Sequence, residues 1–176
     1  ISGATAREHY PWIKPEYLIG YTFPDLSKWE GKAIWLNYFV KKWSQYGNAQ
    51  FAIGNGMVVR SPERNREFGH HYNSTCLDSP FHSVSQSHKF VKYGFGYETD
   101  AVCYDIREGR MTREEGFKSI DELDGRCSDF LIDRLILFLG ITRADYDATV
   151  HKFVNRELVE WKADRWQLRD EIKALR

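Results

Sequence analysis

The chain has 176 residues, 42% of them hydrophobic, and its 25 Lys and Arg side chains balance 25 Asp and Glu side chains. This length suits one domain with a buried core, and the charge balance gives no global electrostatic reason to bind nucleic acid or an anionic membrane. No apolar run approaches the roughly 20 residues that span a bilayer, and no apolar signal segment opens the chain, so we expect a soluble, cytoplasmic protein without nucleic-acid or membrane partners.

Residues 1–31 are rich in Pro, Gly and polar side chains and predict little core. We interpret them as an irregular connection from a domain upstream, because Ile1 is not an initiator Met. Residues 32–176 form the second predicted region. It opens with residues 33–40, whose aromatic and β-favouring composition without a helical period predicts a buried strand.

Between residues 44 and 82 the pattern changes from helix to loop. Ser44 is predicted to cap a short helix that ends near Gly54. Asn55-Gly56 then signals a turn before a β-like stretch at residues 57–59. Residues 60–82 are predicted to be mostly polar loop.

Beyond residue 83 the pattern is helical almost throughout. A first helix is predicted to end at Gly94, because glycine favours the left-handed C-cap. A second, short helix turns Val102 and Cys103 inward, so Cys103 is expected to be a small core residue rather than a nucleophile. Thr112 and Glu115 have the spacing of a capping box and predict the start of a third helix.

The last part of the chain holds its most apolar run, residues 130–139. This run predicts the most buried helix and the centre of the lobe, with Leu135 deep in the core. Gly140 is expected to end that helix, and Thr142 begins the next. Residues 161–166 are predicted to form an extended or frayed tail. The predicted fold class is therefore mostly α with minor β.

The most specific stretch lies at residues 92–115. Residues 92–100 read K-Y-G-F-G-Y-E-T-D and residues 105–115 read D-I-R-E-G-R-M-T-R-E-E. This stretch resembles the C-terminal region of the ATP-dependent N-acetyl sugar amidotransferases of bacterial surface-polysaccharide and flagellin-glycan pathways, which carries K-[FY]-G-[FY]-G-R-x-T-D and then D-I-R-x-G-R-[MI]-T-R-E-E. The I-W-L-N-Y-F run at residues 34–39 is similar to that family's I-[WF]-L-G-Y-[YF] segment.

Three departures from the family pattern limit what is carried over. Tyr97 stands where the family usually has Arg, and Ser79 stands where it often has Cys after Leu-Asp. The family's N-terminal S-G-G-x-D-S phosphate loop, the mark of PP-loop ATP pyrophosphatases, is missing from this sequence. Residues 2–4, Ser-Gly-Ala, lack the second Gly and the Asp-Ser that such a loop uses to turn backbone N–H groups onto a phosphate.

The resemblance implies the helical C-terminal lobe of a larger α/β PP-loop enzyme with an adenine nucleotide alpha hydrolase-like fold. The implied reaction adenylylates the amide oxygen of an acetamido sugar or nucleotide sugar with ATP, after which ammonia displaces AMP and leaves an acetamidino group. ATP and Mg²⁺ are expected to bind mainly to the N-terminal domain, and ammonia to come from a separate glutaminase subunit. The pathway implied is lipopolysaccharide, O-antigen or flagellin-glycan biosynthesis.

No catalytic residue is assigned, and the resemblance carries over six substrate-binding candidates: Lys92, Gly94, Gly96, Asp100, Arg107 and Arg110. The arginines are expected to form an anion site, because guanidinium forks match phosphate oxygens. The alternative is a solvated helix end in which they pair with neighbouring glutamates. The glycines either let backbone N–H groups approach a ligand or simply end a helix.

His70, His71, Cys76 and His82 are the cluster with metal-ligand chemistry. Their spacing matches no common zinc pattern, and the three cysteines of the chain include no C-x-x-C pair. We therefore predict no metal site, zinc ribbon or disulfide framework.

A second function, from another class, also fits the pattern. The helices predicted over residues 112–154 would serve a non-catalytic interaction module that docks a partner protein. The oligomeric state is left open by the sequence.

Overall fold

A computed structural model describes residues 3–21, 27, 30–41 and 43–175. Tertiary contacts divide the chain into two units, Ile1–Ser44 and Gln45–Arg176. The predicted domain boundary between residues 31 and 32 stays a prediction.

The first unit contains little regular structure in its described residues. Helix α1 spans Gly3–His9, and two 3-10 helices span Pro15–Tyr21 and Leu36–Phe39. The strand predicted for residues 33–40 is wrong, since its centre is a 3-10 helix whose aromatic side chains are exposed. A β-favouring composition forms a strand only where a partner ladder takes its backbone hydrogen bonds, and the described part of this unit has no such partner.

The second unit is helical, with one small sheet among its described residues. Its elements in chain order are α2 Gln45–Gly54, α3 Pro62–Glu67, α4 Phe81–Tyr93, α5 Tyr97–Arg107, α6 Arg113–Leu123, α7 Asp129–Leu139, α8 Arg143–Phe153, β1 Val159–Lys162, β2 Arg165–Leu168 and α9 Asp170–Lys173. Strands β1 and β2 are antiparallel and pair Trp161 with Trp166. The predicted fold class, mostly α with minor β, is confirmed, while a PP-loop partner domain stays a prediction.

Local signals set most helix ends where the sequence predicts them. Gly94 and Gly140 close α4 and α7 in the left-handed conformation, with φ of 78° and 66°. The capping box of Thr112 and Glu115 opens α6, and Thr142 opens α8 in the same way with Asp145. These predictions are confirmed because each depends on hydrogen bonds within one turn.

Two local predictions are wrong, the strand at residues 57–59 and the inward position of Cys103. Residues 57–59 form no strand, while residues 60–82 are mostly loop as predicted and include the short helix α3. Ser61 caps α3 by accepting a hydrogen bond from the Arg64 N–H, and Pro62 occupies its first turn. Cys103 is exposed, because the inward stripe of α5 passes through Ala101 and Val102 instead.

Two clusters of buried side chains hold the second unit together. The first joins Phe68, Val84, Leu131 and Tyr146, and so connects α4, α7 and α8. The second joins Phe90, Val91, Val159 and Leu168, and so fastens the hairpin to α4.

Helix α7 is not the centre of the lobe. Leu131 is 1% exposed, but Leu137 and Phe138 are 82% and 73% exposed, and Leu135 is only half-buried. An apolar helix is buried all round only if neighbours cover every side, and the described neighbours α4 and α8 cover one side of α7. No helix in the described ranges is long and apolar enough to cross a membrane.

Candidate functional site

Two buried carboxylates lie on one face of α5. Glu98 and Asp105 are seven residues apart, with Val102 between them on the same stripe. Glu98 is 0% exposed and Asp105 is 4% exposed. Buried carboxylates are costly unless donors or opposite charges satisfy them, so their partners define the site.

His71 bridges the two carboxylates. Its backbone N–H donates to Glu98 Oε2 at 3.0 Å, its Nδ1 lies 2.8 Å from Glu98 Oε1, and its Nε2 lies 2.8 Å from Asp105 Oδ2. Burial alone disfavours the charged ring, but hydrogen bonds and charge from the two carboxylates outweigh it and raise the pKa of His71. A ring with acceptors at both nitrogens is most stable as the imidazolium.

The Asp105 carboxylate accepts hydrogen bonds from several donors. The Tyr72 hydroxyl and the Arg110 guanidinium both donate to its Oδ1, the latter through Nε at 2.7 Å. Burial alone raises the pKa of Asp105, but the bonds from Tyr72, Arg110 and His71 hold it below its usual range. Burial and the bond to Asp105 raise the pKa of Tyr72.

We call this connected group the His71 network, and its members are His71, Tyr72, Glu98, Asp105, Arg110 and Ser119, whose hydroxyl donates to Glu98. It joins the segment before α4 to α5 and α6. With both ring N–H groups of His71 engaged by carboxylates, the ring has no free nitrogen to act as a base. The network therefore fixes the relative positions of these elements, and 23% of the His71 side chain remains exposed.

The two predicted arginines have different surroundings. Arg110 bonds Asp105, Glu108 and Tyr72, and its guanidinium lies 4.4 Å from the Tyr46 ring centroid. Arg107 is exposed, and its Nε donates to the Cys103 carbonyl at 3.1 Å. Arg110 therefore belongs to an internal network, while Arg107 keeps donors available to solvent.

The predicted glycines lie at the turn between α4 and α5. The Gly94 N–H donates to the Phe90 carbonyl at 2.8 Å and ends α4. The Gly96 N–H donates to Asp124 Oδ2 at 2.9 Å, and a Cβ at Gly96 would lie 2.5 Å from Asp124 Oδ1. Both amides are thus used within the protein, and Gly96 is required by the close approach of Asp124.

The remaining two candidates lie on the surface near that turn. Asp100 forms an ion pair with Lys89 at 2.7 Å. Lys92 is exposed, and its Nζ lies 5.1 Å from the ring centroid of Tyr93 and 5.9 Å from that of Phe153. The six candidates thus do not converge on one point, and their role in substrate binding stays a prediction.

Tyr97, the departure from the family pattern, fills an interior position between two histidines. Its ring lies 5.1 Å from His70 and 5.3 Å from His82, and its hydroxyl lies 3.1 Å from the Thr75 hydroxyl. His70 is 1% exposed, and burial lowers its pKa to about 4, so it is neutral. No group of three or more metal-ligating side chains converges among the residues described.

Sequence reasoning missed most of the His71 network. Of its members only Arg110 was a candidate binding residue, and His71 was considered only as a metal ligand. The available signal was the pair Glu98 and Asp105 on the stripe that carries Val102. A carboxylate on the inward face of an amphipathic helix predicts a buried polar partner, but its identity depends on a segment 27 residues away in sequence from Glu98.

One comparison with known proteins identifies a family. The model of the family described as "LPS biosynthesis protein WbpG-like, C-terminal domain" matches residues 63–173. Neither the curated proteins nor the solved structures give a match. The matched range includes every member of the His71 network and all six predicted site residues.

Proposed function

Because the chain belongs to the family of the WbpG-like C-terminal domain of LPS biosynthesis proteins, we propose that it is the C-terminal part of an ATP-dependent amidotransferase. The reaction converts the N-acetyl group of a sugar or nucleotide sugar to an acetamidino group with ammonia from a glutaminase partner. The compartment is the cytoplasm, where ATP and such donors are available.

The observation that carries this proposal is the family match over residues 63–173, which contains the whole stretch of residues 92–115 that resembles the amidotransferases, with Tyr97 in place of the family's Arg. The motif builds helix α5 and the start of α6, and it supplies Glu98, Asp105 and Arg110 of the His71 network. A motif that forms a rigid, buried network suits a lobe that must hold a substrate-facing surface in place.

The turn at Gly94 and Gly96 and the two buried carboxylates do not fit an ATP site. The amides of Gly94 and Gly96 are bonded within the protein, so they do not cradle a phosphate. Glu98 and Asp105, the buried carboxylates suited by chemistry to Mg²⁺, are taken up by His71, Tyr72 and Arg110. We therefore assign ATP and Mg²⁺ to another domain of the enzyme, and the sugar-facing surface to this one.

The test is an assay of the intact enzyme with its glutaminase partner, ATP and a nucleotide-linked acetamido sugar. Mass spectrometry should detect the exchange of the amide oxygen for an NH group, with one AMP formed per product. Product formed without AMP release would contradict the proposal. So would the absence of product from every acetamido sugar tested.

Arg107 gives the sharper residue-level test. Arg107→Ala should lower kcat/KM by about 10–100-fold if the side chain makes a charge-assisted bond to the substrate anion, and it should leave folding intact because Arg107 is exposed. Arg134→Ala, at an exposed arginine of α7 outside the motif, is the matched control. Arg110→Ala is less informative, because it removes the ion-pair partner of the buried Asp105.

A second function is favoured by one observation, the exposed apolar surface of α7. Phe130, Leu137, Phe138 and Leu139 are each more than half exposed, and such patches mark contact surfaces. A non-catalytic interaction module would use this surface and would keep its function in Arg107→Ala. Loss of partner binding in Leu137→Glu with full amidotransferase activity retained would separate the two functions.

A further inference from the structure

A groove lies between the β1–β2 hairpin and helices α4, α7 and α8, away from the His71 network. It encloses about 740 Å³, which is within the range of small-molecule sites. Its lining contains two tryptophans, four arginines and four carboxylates among the residues that the structure describes. None of the six predicted site residues lines it.

The tryptophans form an aromatic corner. Trp161 and Trp166 are paired across the hairpin, with ring centroids 5.4 Å apart and planes at 78°. Trp161 is 59% exposed. In this edge-to-face pair Trp166 also contacts His151, with ring centroids 5.5 Å apart, so the exposed Trp161 offers the flat apolar face to a ring-shaped ligand.

The charges of the groove cancel, and this decides the class of ligand. At the α7–α8 end, Arg143 is already paired with Asp129 at 2.8 Å and Asp147 at 3.2 Å. At the other end, Arg165 donates to the Asp121 and Glu122 carbonyls. A polyanion would meet as many carboxylates as guanidinium groups, whereas a polyhydroxylated ring both donates and accepts hydrogen bonds and uses both kinds of group.

The hairpin turn at the groove carries backbone strain. Ala163 and Asp164 form its two-residue loop and have φ of 51° and 57°. Such a turn favours Asn-Gly, and non-glycine residues in the left-handed region cluster at binding sites. Both residues line the groove. The turn that they form connects the two strands that carry Trp161 and Trp166.

We propose that this groove binds a carbohydrate ring of no net charge, stacked on Trp161 beside Trp166 and hydrogen-bonded to the arginines and carboxylates of the lining. The class of ligand follows from the groove alone. Only the further role, that this ring belongs to the sugar on which the enzyme acts, rests on the proposed function.

The test is an NMR titration of the 176-residue chain with N-acetylglucosamine and its β-1,4-linked dimer, read at the tryptophan indole N–H signals. Trp161→Phe and Trp166→Phe assign the two signals. We expect both to shift with sugar, and inorganic phosphate and UDP to leave them in place. A response to phosphate or UDP but not to sugar, or no response up to the solubility limit of the sugar, overturns the proposal.

Two variants locate the ligand. Trp161→Ala should weaken sugar binding about tenfold by removing the stacking face. Phe138→Ala, at an aromatic that is also more than half exposed but lies outside the lining, is the control. Unchanged affinity in Trp161→Ala would place the sugar elsewhere.

This titration needs neither ATP nor ammonia, so the two proposals fail separately. Sugar binding without amidotransferase activity in the intact enzyme would support the groove as a sugar site and contradict the proposed reaction. Activity with no sugar-dependent shift of the Trp161 or Trp166 signal would support the proposed reaction and contradict the sugar site.

Discussion

Replacing Leu131 by Ala should reveal where the core of the second unit lies. Leu131 is 1% exposed and packs against Phe68, Val84 and Tyr146. Removal of a leucine side chain at such a position costs the transfer free energy plus the cavity that remains, about 2–5 kcal/mol. In a protein of this size each kcal/mol lowers the melting temperature by about 2–4 °C, so we expect a fall of about 4–20 °C in thermal unfolding followed by circular dichroism.

The same substitution six residues further along α7 is the matched control. Leu137 is 82% exposed, so Leu137→Ala should change stability by no more than about 0.5 kcal/mol. Both variants make the same change in side chain and helix propensity, so their difference isolates burial. Leu135, half-buried against the same cluster, should give an intermediate value. Equal losses at Leu131 and Leu137 would refute the placement of α7 at the edge of the unit.

Three further predictions concern the turns and the His71 network. Gly96→Ala should destabilise by about 1–3 kcal/mol, because its Cβ would lie 2.5 Å from Asp124 Oδ1, whereas Gly54→Ala, with open space around it, should be neutral or stabilising in the same denaturant titration. Thr112→Ala should cost about 0.5–2 kcal/mol through loss of the α6 cap, measured by thermal unfolding; no loss would mean that α6 does not need its capping box. The raised pKa of His71 means that its stabilisation is fully present below about pH 6.5, the unfolded value, and is lost as pH rises through the folded value. Burial lowers the pKa of His70, and partial burial lowers those of His82 and His88, so these three act in the opposite sense. The diagnostic quantity is therefore the difference in unfolding free energy between wild type and His71→Gln, which should shrink as pH rises above 6.5; a difference that grows would contradict the imidazolium assignment.

The candidate site shows how far sequence patterns reach. The stretch at residues 92–115 stands out in the sequence, and the end of α4 at Gly94 and the start of α6 at Thr112 follow from it. The functions given to its members were harder to infer. The guanidinium group of Arg110 is suited to anion binding, but it donates a hydrogen bond to Asp105, five residues earlier in the chain.

What the sequence by itself determined are the features that one helical turn can enforce. The ends of α4, α6, α7 and α8 follow from caps and glycines whose hydrogen bonds span three to five residues, and the helical fold class follows from their number. The family is shown by a sequence model that matches residues 63–173.

Only the tertiary structure decided which surfaces are covered. The most apolar helix, α7, lies at the edge because α4 and α8 cover just one of its sides. His71 meets Glu98 and Asp105 from 27 and 34 residues away, and Trp161 faces a groove formed with three distant helices. Side-chain type specifies what a group can bond, but the partner depends on long-range packing, which local periodicity does not encode.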